Sequence, residues 1–123
     1  WVHARDYVQA MWRILQRDTP DYYVVATGRT HPVREFVEKA AAVAGFDLAW
    51  EGEGLEEVGR DRKSGRIIIA IDPKYFRPAE VDLLMGDPAK ARTVLGWEPR
   101  ISFDSLVELM MKADLERVAQ GNA

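Results

Sequence analysis

Apolar residues recur with helical spacing over much of the chain. Between Asp6 and Gln16, residues Val8, Met11, Trp12 and Leu15 fall at i, i+3, i+4 and i+7, which predicts an amphipathic helix ending near Asp18-Thr19-Pro20. Tyr22-Tyr23-Val24-Val25-Ala26, closed by Thr27-Gly28, has the aromatic and β-branched make-up of a buried strand. Thr30 is then placed to cap a second helix, whose apolar face is Val33, Phe36, Val37, Ala40, Ala41 and Ala44 and whose stop is Gly45.

Leu48 to Glu51 reads as a strand running into the acidic stretch Gly52-Glu53-Gly54-Leu55-Glu56-Glu57. Val58 to Asp61 and Arg66 to Ile71 flank Arg62-Lys63-Ser64-Gly65, where glycine accommodates positive φ, so the two arms predict a hairpin. The continuous apolar run Ile67-Ile68-Ile69-Ala70-Ile71 is expected inside a sheet. Past the irregular segment Asp72 to Pro78, Asp87-Pro88 matches a cap and first-turn proline, and Gly96 closes that short helix. Ser102 caps a last helix carrying Phe103, Leu106, Val107 and Met110 on one stripe. The alternation of strands and helices predicts a small α/β domain with a short-stranded sheet and about four helices. The aromatics Trp12, Tyr22, Tyr23 and Phe36 are expected in its core rather than on a stacking platform.

Composition narrows the function classes. With 123 residues the chain is one domain long, and 47% hydrophobic with 30% charged residues is ordinary for a globular protein. No apolar run approaches the roughly 18 residues of a membrane span, so no membrane association is expected. A net charge of −3 with intermixed signs gives no field for a phosphate backbone, which argues against nucleic acid as a partner. The absence of cysteine removes disulfides and thiol nucleophiles and makes a cytoplasmic setting the default.

The chemistry of a self-sufficient enzyme is not legible. No glycine fingerprint follows a strand and opens a helix; Gly52-Glu53-Gly54 lacks a third glycine and sets carboxylates where phosphates would sit. His3 and His31 are remote from one another in sequence and lack a clustered ligand set, so no metal site is expected. No serine lies in a Gly-x-Ser-x-Gly elbow, and no tyrosine is followed four residues later by lysine. Glu51, Glu53, Glu56 and Glu57 read as a solvated acidic loop rather than an acid–base pair.

One stretch is distinctive: Tyr75-Phe76-Arg77-Pro78-Ala79-Glu80-Val81-Asp82-Leu83-Leu84-Met85-Gly86-Asp87-Pro88-Ala89-Lys90-Ala91. It resembles the end of GDP-mannose 4,6-dehydratases, within the extended short-chain dehydrogenase/reductase superfamily. The opening Trp1-Val2-His3-Ala4-Arg5-Asp6-Tyr7-Val8, Ala26-Thr27-Gly28-Arg29-Thr30-His31, Val33-Arg34-Glu35-Phe36, Trp50-Glu51-Gly52-Glu53-Gly54 and Val58-Gly59-Arg60-Asp61 match in the same order along nearly the whole chain. Asp87-Pro88-Ala89-Lys90-Ala91 and Leu95-Gly96-Trp97-Glu98-Pro99 mark the wider sugar-nucleotide superfamily, whereas the Trp-Glu-Gly-Glu-Gly and Tyr-Phe-Arg-Pro texts point to the GDP-mannose branch.

The resemblance implies that residues 1–123 are a carboxy-terminal sugar-nucleotide-binding domain, a fragment of a longer, homo-oligomeric lyase. In that family an amino-terminal Rossmann half holds NADP and the catalytic Thr or Ser, Tyr, Lys and Glu. The implied reaction converts GDP-mannose to GDP-4-keto-6-deoxymannose: hydride leaves C4 for the cofactor, water is lost across C5 and C6, and hydride returns at C6. This chain alone is then expected to be inactive and to carry no cofactor.

The implied substrate-binding residues are Arg77, as phosphate contact, and Glu80, as acceptor of ribose hydroxyls, with Tyr75 and Arg60 as further candidates. From spacing alone, Arg77 and Glu80 read rather as a surface ion pair worth roughly 0 to 1 kcal/mol. Arg60 fits an inter-strand or intersubunit pair as well as a ligand contact, and Tyr75 fits core. His3 and Asp6 are expected to position the first helix. A stand-alone, non-catalytic binding or structural module is the alternative reading of the whole chain.

Overall fold

A computed structural model describes residues 1–77 and 84–121. In chain order the elements are α1 (Ala4–Leu15), α2 (Val33–Val43), β1 (Leu48–Glu51), a 3-10 turn (Gly54–Glu56), β2 (Val58–Asp61), β3 (Ile67–Ala70), α3 (Ala89–Leu95) and α4 (Phe103–Ala119). The strands form an antiparallel meander in the order β1-β2-β3, with Leu48 opposite Asp61 and Glu51 opposite Val58. Val58 pairs with Ala70 and Gly59 with Ile69, after which the register slips so that Arg60 meets Ile67. The molecule is thus the small α/β domain expected, although no parallel strand pair occurs among the described residues.

Local chemistry accounts for most element ends. His3 Nδ1 accepts from the Arg5 amide at 3.1 Å and opens α1, and Ser102 Oγ accepts from the Ser105 amide at 3.2 Å and opens α4. Asp87 Oδ1 accepts from the Ala89 amide at 2.9 Å at the start of α3, whose C-cap Gly96 takes φ +58°. At the β2–β3 turn Gly65 has φ +72°, and Asp61 accepts from both the amide (2.9 Å) and the hydroxyl (2.6 Å) of Ser64.

Four expectations are corrected. Thr30 does not cap α2: Pro32 is the N-cap residue and offers no side-chain acceptor. Tyr22–Ala26 forms no strand among the described residues, whose sheet is a three-stranded meander that supplies no partner for it. The isoleucine run is not enclosed, since β3 is an edge strand of the sheet among the described residues and Ile67 is exposed. Trp12 and Tyr22 also lie on the surface, at 61% and 79% exposure, so they are not core.

The core is small and divided. Ala10 of α1, Ala91 of α3 and Trp97 are buried together, with Val2, Tyr23, Val25 and Leu95 packed around them. Elsewhere α2 and α4 pack on one another, burying Ala40 and Ala41 on one side and Leu106 and Val107 on the other. Small alanines allow close helix contact, whereas Trp97 supplies most of the volume of the first cluster.

A polar staple closes that cluster. The Trp97 indole donates to the Asp6 carbonyl at 2.9 Å, and Asp6 Oδ2, itself buried, accepts from the amides of Arg100 and Ile101 at 3.1 Å each. Arg13 donates to the Leu95 carbonyl at 2.9 Å and also to that of Gly96. Asp6→Ala strands two amides and is expected to cost about 2–4 kcal/mol, and Trp97→Ala about 3–5 kcal/mol. Leu109→Ala, on an exposed face of α4, should stay within about 0.5 kcal/mol. Urea denaturation followed by circular dichroism measures all three.

Candidate functional site

The segment after β3 is organised by its own turn. Asp72 accepts twice, its Oδ1 from the Lys74 amide at 2.9 Å and its carbonyl from the Tyr75 amide at 3.0 Å. The chain is thereby folded back so that Tyr75, Phe76 and Arg77 line an open recess of about 590 Å³ with Val33, Ile71 and Asp72. Tyr75 is 70% exposed, so it does not fill core; the Lys74 ammonium sits 5.1 Å from its ring centroid. The structure therefore brings together two of the four sequence-derived candidates, Tyr75 and Arg77, on one wall. Glu80 lies outside the described residues.

Arg60 stands apart from that recess. Its Nε pairs with Glu51 at 3.1 Å across the β1–β2 ladder and its Nη1 donates to the Gly65 carbonyl at the hairpin turn. Of the roles open to Arg60 from sequence, the inter-strand pair is the one its side chain makes.

The turn end of the same hairpin carries a large electrostatic perturbation. Asp61 is held at about 2, down from its ordinary value of 3.8, chiefly by the Ser64 hydroxyl and then by the Asp47 backbone amide, with the amides of Ser64 and Lys63 adding to them. The acidic stretch behaves otherwise: Glu53 and Glu56 are exposed, whereas Glu57 accepts from Arg34 Nη2 at 2.7 and 2.6 Å. Arg34 also lies 4.2 Å from the Trp50 ring centroid and Trp50 donates to Glu38 at 2.8 Å, fixing α2 to β1.

A second recess, about 390 Å³, is lined by Trp1, His31, Phe103 and the guanidinium groups Arg29, Arg92 and Arg100, among others. His31 stacks on Phe103 at 3.9 Å and bonds Glu35 at 2.9 Å, and Trp1 stacks on Phe36 at 5.0 Å. Sequence reasoning did not assemble this recess, because its walls come from four separated segments with no shared spacing. Lys39 bonds Asp104 at 2.7 Å along its rim, which raises the lysine above its ordinary value.

Two chemistries can be tested against the described residues. The Gly52–Gly54 stretch runs into a single 3-10 turn beside exposed carboxylates, so it offers no amide cradle for a dinucleotide pyrophosphate. No group of three or more His, Cys, Asp or Glu side chains among the described residues is placed to hold a metal. No helix of the described residues is long and apolar enough to cross a membrane.

The small α/β domain thus carries a guanidinium and an aromatic side chain on one open recess. The family follows from comparison with known proteins. Residues 1–110 match the family model for GDP-mannose 4,6 dehydratase, and the chain belongs to that family. It is 53% identical over 116 residues to the GDP-mannose 4,6 dehydratase of Drosophila melanogaster, covering 94% of this chain and 29% of the relative. The human enzyme of that name is 51% identical over 116 residues, covering 94% and 31%. GDP-mannose 4,6-dehydratase of Sinorhizobium fredii (strain HH103) is 51% identical over 115 residues, covering 94% and 33%. The chain thus spans only about a third of the length of the curated relatives it matches.

The Asp61 network gives a pH prediction with a fixed sign. Its carboxyl binds protons more weakly folded than unfolded, so its stabilisation is complete above the ordinary value of 3.8 and is lost as pH falls through about 2. Melting temperature should fall between pH 4 and pH 2 in the parent, and Asp61→Asn, already lower at neutral pH, should flatten that part of the profile.

Proposed function

We propose that this chain is the sugar-nucleotide-binding portion of a GDP-mannose 4,6-dehydratase, the carboxy-terminal domain of a lyase that converts GDP-mannose to GDP-4-keto-6-deoxymannose for GDP-deoxyhexose synthesis in the cytoplasm. The observation that carries the reading is the placement of Tyr75 and Arg77 on one recess whose remaining walls are largely apolar. Its volume of about 590 Å³ falls within the range of ligand pockets, roughly 300–1,000 Å³.

Arg77 offers a permanently charged planar fork suited to a diphosphate. Tyr75 offers a face and a hydroxyl beside it, and Glu80 is the acceptor for the ribose hydroxyls. Val33, Ile71 and Phe76 supply the apolar surface against which a nucleoside loses water.

The chemical steps belong to groups outside these residues. NADP, held by the Rossmann half of the enzyme, would supply the hydride acceptor and donor; the residues of this chain bind and orient GDP-mannose toward it. The isolated chain therefore holds substrate without turning it over, and the complete enzyme works as a homo-oligomer.

Calorimetric titration of the chain with GDP-mannose, with GDP, UDP and ADP alongside, tests the reading. Saturable binding selective for the guanine nucleotides is expected. Arg77→Ala should weaken GDP binding about 10- to 100-fold through loss of a charge-assisted contact. Equal affinity for ADP and UDP, or a wild-type response from Arg77→Ala, sinks the assignment.

A further inference from the structure

We infer that the recess bounded by Arg29, Arg92 and Arg100 is a second anion site, which takes a diphosphate group independently of the recess that Tyr75 and Arg77 line. The inference goes beyond the GDP grip and does not rest on it, because the two recesses share no lining residue.

The first observation is the charge balance of the recess. Its walls carry four cationic side chains, Arg29, Lys39, Arg92 and Arg100, against two carboxylates, Glu35 and Asp104. Both carboxylates are already engaged. Lys39 Nζ lies 2.7 Å from Asp104 and 3.7 Å from Glu35, and Glu35 also bonds His31 at 2.9 Å. Arg92 is loosely held, 3.4 Å from the Thr27 carbonyl and 3.9 Å from Glu98, whose side chain is 74% exposed, so water screens that pair. Among the described residues Arg29 and Arg100 enter no ion pair. In a chain whose net charge is −3, carboxylates are in excess, yet these guanidinium groups stand together without one. A concave site walled by one sign of charge gathers the opposite ion.

The second observation is that the arginines stand on a fixed frame. The Arg100 amide donates to the buried Asp6 carboxylate at 3.1 Å. The Thr27 hydroxyl accepts from the Arg29 amide at 3.2 Å and donates to the Arg29 carbonyl at 3.1 Å, closing a tight loop around Gly28, at φ +73°. Those bonds use only main-chain atoms of the two arginines, so they set where each side chain starts and leave both guanidinium groups for a ligand. Anchoring the charges beforehand lowers the cost of gathering them on binding. A guanidinium is a planar fork that is always charged and meets phosphoryl oxygens in pairs.

The third observation is extent. The recess holds about 390 Å³, within the roughly 300–1,000 Å³ of ligand pockets. Arg92 and Arg100 also line an adjoining recess of about 360 Å³, and Arg100 lines a third of about 230 Å³ together with Arg5. The positive ground therefore continues past the reach of one phosphoryl group, which suits a diphosphate better than a monophosphate. Trp1, His31 and Phe103 wall the same recess and offer aromatic surface beside the anion.

The test is a titration of the isotope-labelled chain with sodium pyrophosphate, followed by the NMR signals of backbone amides and arginine side chains. Signals of residues 27–31 and 99–103 should shift and saturate, equally in the parent and in Arg77→Ala. Arg100→Gln and Arg29→Gln keep the main-chain bonds and should each weaken binding about 10-fold. In the Arg77→Ala background, tighter binding of GDP or UDP than of pyrophosphate at these signals identifies a nucleotide that uses the aromatic wall, and equal binding identifies a free diphosphate. The GDP grip is read separately, at residues 71–77. The inference is overturned by the absence of saturable shifts at 27–31 up to about 10 mM pyrophosphate. A response to malonate as strong as that to pyrophosphate overturns it too, as does parental affinity in both glutamine variants.

Discussion

The buried carboxylate of Asp6 is the constraint on which the rest of the arrangement depends. It lies in the first helix yet accepts the amides of Arg100 and Ile101, and its own carbonyl takes the indole proton of Trp97. Those bonds join the beginning of the chain to a segment more than ninety residues later. A charge removed from water is tolerated only when hydrogen bonds replace its hydration, and here the backbone of the α3–α4 connection does so. The consequence is a fixed orientation for α1. With Asp6 inside, the apolar stripe a third of a turn or more away must face out.

Around that staple the remaining parts are tied by side chains that cross elements. Arg34 of α2 stacks on Trp50 of β1 and bonds Glu57, so helix and sheet keep a set distance. The aromatic group of Trp1, His31, Phe36 and Phe103 joins the chain start, α2 and α4. Val33, at the first turn of α2, then forms one wall of the recess that Tyr75 and Arg77 line on the other. The candidate site is therefore built where α2 meets the chain leaving β3. Neither element makes the site alone, and the Asp72 turn sets the direction in which Tyr75 and Arg77 leave the sheet.

Much of this was legible beforehand, for local reasons. The Ser102 cap, the Asp87 cap, the Gly96 stop and the Gly65 turn depend on hydrogen bonds and φ values within a few residues, which a sequence displays directly. The strands β1 and β2 were found because the turn signals around them bring each its partner close in sequence. Tyr22–Ala26 failed because a strand exists only with a partner, and composition reports the tendency but not the partner. Ile67–Ile69 failed similarly: a continuous apolar run implies cover on both faces, and β3 has an open edge. The pairing of Tyr75 with Arg77 was signalled by a motif, whereas the Arg29, Arg92 and Arg100 recess had no signal in any single stretch.

The sequence by itself determined the family, the four helices and the hairpin. These follow from short-range rules: side-chain periodicity, caps, turn residues and motif text. Only the tertiary structure decided which side of each element faces inward. It buried Asp6 rather than Trp12, made Trp97 the centre of the core, left β3 at an edge and tied Arg60 to Glu51. Periodicity states that a helix has two faces. The partner that claims each face is set by contacts between residues far apart in the chain, and those contacts exist only once the chain is folded.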